Sequence, residues 1–197
     1  MWRIIGAFGL LFTTCSRHQE TAIERILGGT AHNCQLSSFD SDSRLSFELD
    51  PASDYQIEFG RGSGWHGLDT VKVGQDGSVL LHRMKREYDL WENATMRFSE
   101  ASLAKLNKAV EANDLMNLHK AYHGDVHDGS QWVLWIKQGS KEKAVYFNNH
   151  FPNAIVQFAR TLDEVLADSG FAKLTWQQVP TAESRQHERE IWQSIKR

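Results

Sequence analysis

The sequence predicts an α+β fold: a mainly antiparallel sheet with two hairpins packed against two amphipathic helices, plus a C-terminal helix. Three observations carry this expectation. Short segments between residues 45 and 98 alternate apolar and polar side chains, as half-buried strands do. Pairs of such segments are joined by short runs of turn-forming residues. Two longer segments repeat apolar residues at helical spacing.

Taken in order, "QETAIERIL" (19–27) fits a short helix stopped by Gly28-Gly29, and "SSFDSDS" (37–43) reads as a polar loop. "RLSFEL" (44–49) alternates as a strand that Asp50-Pro51 ends, and "YQIEFG" (55–60) repeats the pattern. "GRGSGWHG" (60–67), with four glycines, reads as a strand-to-strand loop. "LDTVKVGQDGSVLLHRM" then forms a hairpin that turns at Asp76-Gly77, and "LWENATMRF" a further strand. Ser99 is placed to cap a helix whose apolar face holds Leu103, Leu106 and Val110.

"QWVLWIK" and "KAVYFN" make a second hairpin through "QGSKE". Apolar residues on both faces of these two strands place them centrally or under helices. In "FPNAIVQFARTLDEVLADSG" the residues Ile155, Phe158, Leu162, Val165 and Leu166 form one stripe, and Gly170 supplies the stop. "FAKLTWQQV" fits a returning strand. Beyond Pro180 lies a charged helix whose apolar content is Ile191, Trp192 and Ile195. The expected organisation is a leader over 1–16, a linker over 17–44 that includes the short helix, one α+β domain over 45–179, and the charged helix over 180–197.

The stretch "DGSQWVLWIKQGSKEKAVYFNNHFPNAIVQFARTLDEVL" combines an Asp-Gly turn, a Trp-bearing strand, a hairpin, an Asn-x-x-x-Pro entry and a helix. In this it resembles bacterial secreted or lipoprotein domains of unknown function, over roughly residues 55–166. The resemblance implies an exported α+β domain and assigns no catalytic residue.

Composition narrows the partners. The chain has 197 residues, 41% of them apolar, 24% charged, and a net charge of −3. It is long enough for a real core, and its acidic balance argues against nucleic acid, which needs a basic surface. "HRMKRE" (82–87), the densest basic cluster, reads as a solvated face. At the start, Arg3, the apolar run Ile4–Phe12 and the small or polar residues Thr13–Ser16 match an export signal. That run is too short for a membrane span, so no transmembrane helix is expected. Cys15 at its end is a candidate for lipidation, which would tether the protein to a membrane. The one other cysteine, Cys34, could instead form a bridge with it in an oxidising compartment.

Chemistry-bearing residues concentrate in "AYHGDVHDGSQW" (121–132). His123, Asp125, His127 and Asp128 are candidate metal ligands, because imidazole and carboxylate are the ligand types zinc takes. As a strand, the segment would put His123 and His127 roughly 13 Å apart, so only a curled loop could gather them on one ion. The competing reading is a polar turn in which Asp128-Gly129 launches the next strand. Trp65 and His66, at the tip of the glycine loop, are candidate ligand contacts, since an exposed indole can stack on a sugar or a partner. No nucleophile elbow or zinc-protease motif is present, no catalytic residue is assigned, and no cofactor is expected. Asp54, Asp69 and Asp76 read as turn residues.

The expected function is therefore an exported, periplasmic or cell-envelope domain that binds or scaffolds an unidentified protein or small ligand. Two alternatives stand beside it: a small metal-dependent hydrolase built on residues 123–128, and a carbohydrate or peptide binder acting through the Trp65 loop.

Overall fold

The structure is a computed structural model that describes residues 16–17, 32–40, 46–63, 67–85, 90–126 and 129–196. Two short strands, β1 (Ser16–Arg17) and β2 (His32–Asn33), pair antiparallel with each other. Nine more form one sheet: β3 (Leu36–Asp40), β4 (Tyr55–Ser63), β5 (Gly67–Gly74), β6 (Ser78–Lys85), β7 (Leu90–Arg97), β8 (Ala121–Gly124), β9 (Ser130–Gln138), β10 (Lys141–Asn148) and β11 (Gln177–Val179). Their spatial order is β11-β7-β6-β5-β4-β9-β10-β8-β3. Every pairing in it is antiparallel except β8 with β10. The helices are α1 (Glu100–Ala112), α2 (Asn153–Asp168) and α3 (Thr181–Lys196). The fold is α+β, as the alternation and the helical stripes indicate.

Alternation along the strands divides the sheet into two faces. Ile57, Phe59, Val71, Leu81, Leu134 and Val145 share one face and are buried in the main core with Leu106 and Val110 of α1 and Phe158 and Leu162 of α2. Ser99 caps α1, its hydroxyl accepting from the amide of Ser102 at 3.1 Å. One ion pair is sealed into this layer: Arg61 of β4, between the rings of Phe59 and Trp132, meets Asp163 of α2. The opposite face carries Glu58, Thr70, His82, Val133 and Tyr146, and α3 lies across it through Ile191, Trp192 and Ile195.

Gly62 is required by a close approach. A Cβ there would sit 1.8 Å from the carbonyl oxygen of Gly67 on the neighbouring strand.

Several local readings change. Residues 46–50 are not a strand. The amide of Asp50 donates to the side chain of Gln138, and its carboxylate takes Ala52 and Ser53 into a turn. This segment passes the end of α1 and leaves a cleft of about 470 Å3 beside Phe47 and Met116. Of the loop expected over 37–43, residues 37–40 instead belong to the strand Leu36–Asp40, because its backbone pairs with β8. Gly60–Ser63, read as part of a loop, continues β4, and only positions 64–66 at the hairpin tip lie outside the described residues. The solvated face expected at "HRMKRE" fails at His82, which is 4% exposed and stacks on Trp91. Asp69 is not in a turn; it sits in β5 and accepts from the amide of Met84. The returning strand near the end is only Gln177–Val179, preceded by a 3-10 turn over Phe171–Lys173. The helix expected over residues 19–27 lies outside the described residues.

No helix among the described residues is long and apolar enough to cross a membrane.

Candidate functional site

The stretch 121–132 is not a simple turn. Ala121–Gly124 is β8, a parallel neighbour of β10 and an antiparallel neighbour of β3. His123 stands on the α3 side of the sheet, its ring edge-on to Tyr146 at 5.8 Å, and its carbonyl accepts the Ser37 hydroxyl at 2.8 Å. Asp125 follows the strand, exposed, with its amide donating to the carbonyl of Gln35. His127 and Asp128 lie outside the described residues, as do Trp65, His66 and Cys15. Among the described residues, no three His, Cys, Asp or Glu side chains are grouped to hold a metal ion.

The organiser of this region is a residue the sequence reading passed over. Asn149, buried at the end of β10 with a left-handed backbone (φ 55°), accepts the amide of Ser130 on its Oδ1 and donates from Nδ2 to the carbonyl of Val126. Its own carbonyl accepts the amide of Cys34 at 2.8 Å. Gly129, at φ 143°, has to be glycine because a Cβ would come 2.1 Å from Asn149 Oδ1. One residue thus clamps three segments: its side chain holds the loop after β8 and the start of β9, and its backbone carbonyl holds the segment leading to β3. The only hint in the sequence was the "NNHFP" entry to α2.

Cys34 is disulfide-bonded. The sequence offers Cys15 as its one intrachain partner, and the β1–β2 register pairs Ser16 with Asn33, the residue next to Cys34. His150 Nδ1 lies 3.1 Å from the Cys34 carbonyl, so that imidazole is engaged by backbone.

Outside this clamp, β3 ends the sheet with no further strand beside it among the described residues. All five residues of β3 are exposed. The large exposed hydrophobic side chains among the described residues are Leu36 and Phe39 on β3 and Val126 in the loop after β8. A register shift between Leu36 and Ser38 sets Leu36 opposite Gly124 and Phe39 opposite Tyr122. Those two β8 positions point the same way, so the bulge brings both apolar side chains to one face. Phe39 stacks on His119 at 4.2 Å, and His119 leans on Tyr122, whose hydroxyl accepts the amide of His119. Burial raises the Tyr122 phenol above its ordinary value.

A second polar group, also unforeseen, lies beneath α3. His187 Nε2 is 2.7 Å from Oε1 of Glu58, which is 1% exposed, and 3.3 Å from the Thr70 hydroxyl. The contact is an ion pair without hydrogen-bond alignment, and neither Glu58 oxygen has a well-formed donor. The Glu58 carboxylate holds the His187 imidazole above the usual histidine range, against the effect of burial. His82, 5.4 Å away ring to ring, is pushed below that range, chiefly by burial, although Asn93 supports its Nδ1. Its Nε2 is buried without a partner, as is the Trp135 indole N–H on the same face. α3 covers this carboxylate and imidazole, and their contact fastens the helix to the sheet.

The chain matches no family model, and no curated protein is similar enough to match it.

Proposed function

We propose that the protein is an exported binding domain that engages another protein through the β3 edge of its sheet. The observation that carries this reading is the exposure of Leu36 and Phe39 on β3, a strand with no outer neighbour among the described residues, with exposed Val126 in the loop after β8. Long exposed strands normally carry lysine, proline or a covering element, because unpaired amides and carbonyls invite another chain. Here the exposed apolar groups coincide with the open backbone, which is the arrangement strand-addition recognition uses.

Export is supported by the leader-like start and by the disulfide at Cys34, since such bonds persist in oxidising compartments. A bridged Cys15 has no thiol left for acylation, so the lipid-anchored and the bridged forms exclude each other. Cell fractionation with intact-mass measurement under non-reducing conditions tests this. The reading expects an extracytoplasmic protein that lacks its first residues and keeps Cys34 bridged, whereas acylation of Cys15 would leave Cys34 a free thiol. A full-length cytosolic chain with two free thiols contradicts it.

A further inference from the structure

We propose that β3 accepts an extended segment of a partner protein as a tenth strand, and that this segment has apolar residues at alternate positions and a basic residue at each end. The inference rests on the binding-domain reading and adds the surface and the partner's chemistry. The two edges of the sheet are unlike. β11 is three residues long and is followed at once by Pro180 and α3, which stops any neighbour from extending along it. β3 has five residues, no proline and no basic side chain, and no sheet neighbour on its outer side among the described residues.

Side-chain recognition follows from the bulge. Leu36 and Phe39 share a face and sit two β8 positions apart, which matches the repeat of alternate residues on an added strand, about 7 Å. His119 and Tyr122 extend that strip toward the core.

Charge then selects among occupants. Exposed Asp40 ends β3 at one side, and exposed Asp125 lies beside Gln35 at the other. Neither β3 nor residues 121–126 contain lysine or arginine, and Lys120 adjoins only the Asp40 end. A second copy pairing antiparallel through its own β3 would bring each Asp40 toward the other copy's Asp125. Like charges at both ends oppose that dimer, whereas a basic-ended segment meets an acid at each end.

The probe is the synthetic peptide acetyl-Lys-Thr-Val-Thr-Val-Thr-Lys-amide, labelled with a fluorophore and titrated with the full chain. Saturable one-to-one binding is expected. It should weaken at least tenfold when alternate peptide amides are N-methylated, when both lysines become glutamate, or when the protein carries Phe39→Lys. Phe39→Lys gives up the stack on His119, so its melting temperature is read alongside binding, and a second variant, Leu36→Thr, should weaken binding without any added charge. Equal binding of the N-methylated peptide, absence of saturable binding, or a wild-type dimer that Phe39→Lys dissolves would each overturn the proposal. Photo-cross-linking in the native compartment separates the two levels. A cross-linked partner retained by Phe39→Lys overturns this surface alone, and no cross-linked partner at any surface overturns the binding-domain reading as well.

Discussion

Replacing His187 with alanine tests how α3 is held. In the native protein the buried Glu58 carboxylate lies 2.7 Å from Nε2 of His187, with Lys72 opposite it on β5. Lys72 and Glu190 act on His187 at longer range, and Glu183 and Glu58 act on His82. Removing one partner of a buried ion pair typically costs about 3–5 kcal/mol, because the other charge remains desolvated. For a chain of this length each kcal/mol shifts the melting temperature by about 2–4 °C. The loss should fall first on α3, which otherwise packs on the sheet through an apolar cluster of Ile191 with Trp192 and Ile195. Hydrogen exchange should therefore quicken in residues 181–196 before the core strands respond.

The pH dependence has a definite sign. A histidine raised in the folded state contributes its full stabilisation below its unfolded value, about 6.5, and loses it as pH rises through the higher folded value. His187 is of this kind. His82 is the opposite case: its contribution is present above about pH 6.5 and is lost as pH falls through its depressed folded value. Wild-type α3 should thus loosen on the alkaline side, and His187→Ala should abolish that alkaline loss. Urea unfolding and hydrogen exchange between pH 5 and 9 measure both. A His187→Ala variant that loses less than about 1 kcal/mol at pH 6, with α3 exchange unchanged, would refute the reasoning, because that is the scale of an exposed pair.

Three other substitutions probe the framework. Asp163→Asn leaves the Arg61 guanidinium sealed between Phe59 and Trp132 and should cost about 3–5 kcal/mol in urea unfolding. Gly62→Ala forces its methyl into the Gly67 carbonyl and should cost at least about 1–3 kcal/mol, with faster exchange in β4 and β5. Ser99→Ala removes the cap of α1 and should cost about 1 kcal/mol, read as a small shift in the urea midpoint.

What could be read in advance depended on how local its cause was. The β5–β6 hairpin was visible because Asp76 takes the amide and hydroxyl of Ser78 within the turn itself. The start of α1 was visible because Ser99 caps it three residues away. β3 was missed because "LSSFD" carries no strand signal of its own; its pairing with β8 comes from distant residues. β8 was missed for a related reason, since its parallel partner β10 lies well downstream. Glu58 alternates correctly as a polar position in "YQIEFG", which ordinarily means a wet face. The charged sequence of α3 gave no sign that this helix would cover it, so neither Glu58 nor His187 was singled out. In the His/Asp stretch, the residue types suggested chemistry, whereas the geometry assigns organisation to Asn149, whose polar atoms hold the surrounding backbone.

Backbone NMR of the isotope-labelled chain, titrated with the lysine-ended peptide, tests the open edge most directly. Binding at β3 predicts that amide shifts concentrate in residues 35–40 and 119–126, with slowed hydrogen exchange in β3 and little change in α2 or α3. Shifts centred on the cleft beside Phe47 and Met116, or spread evenly over the surface, would contradict it.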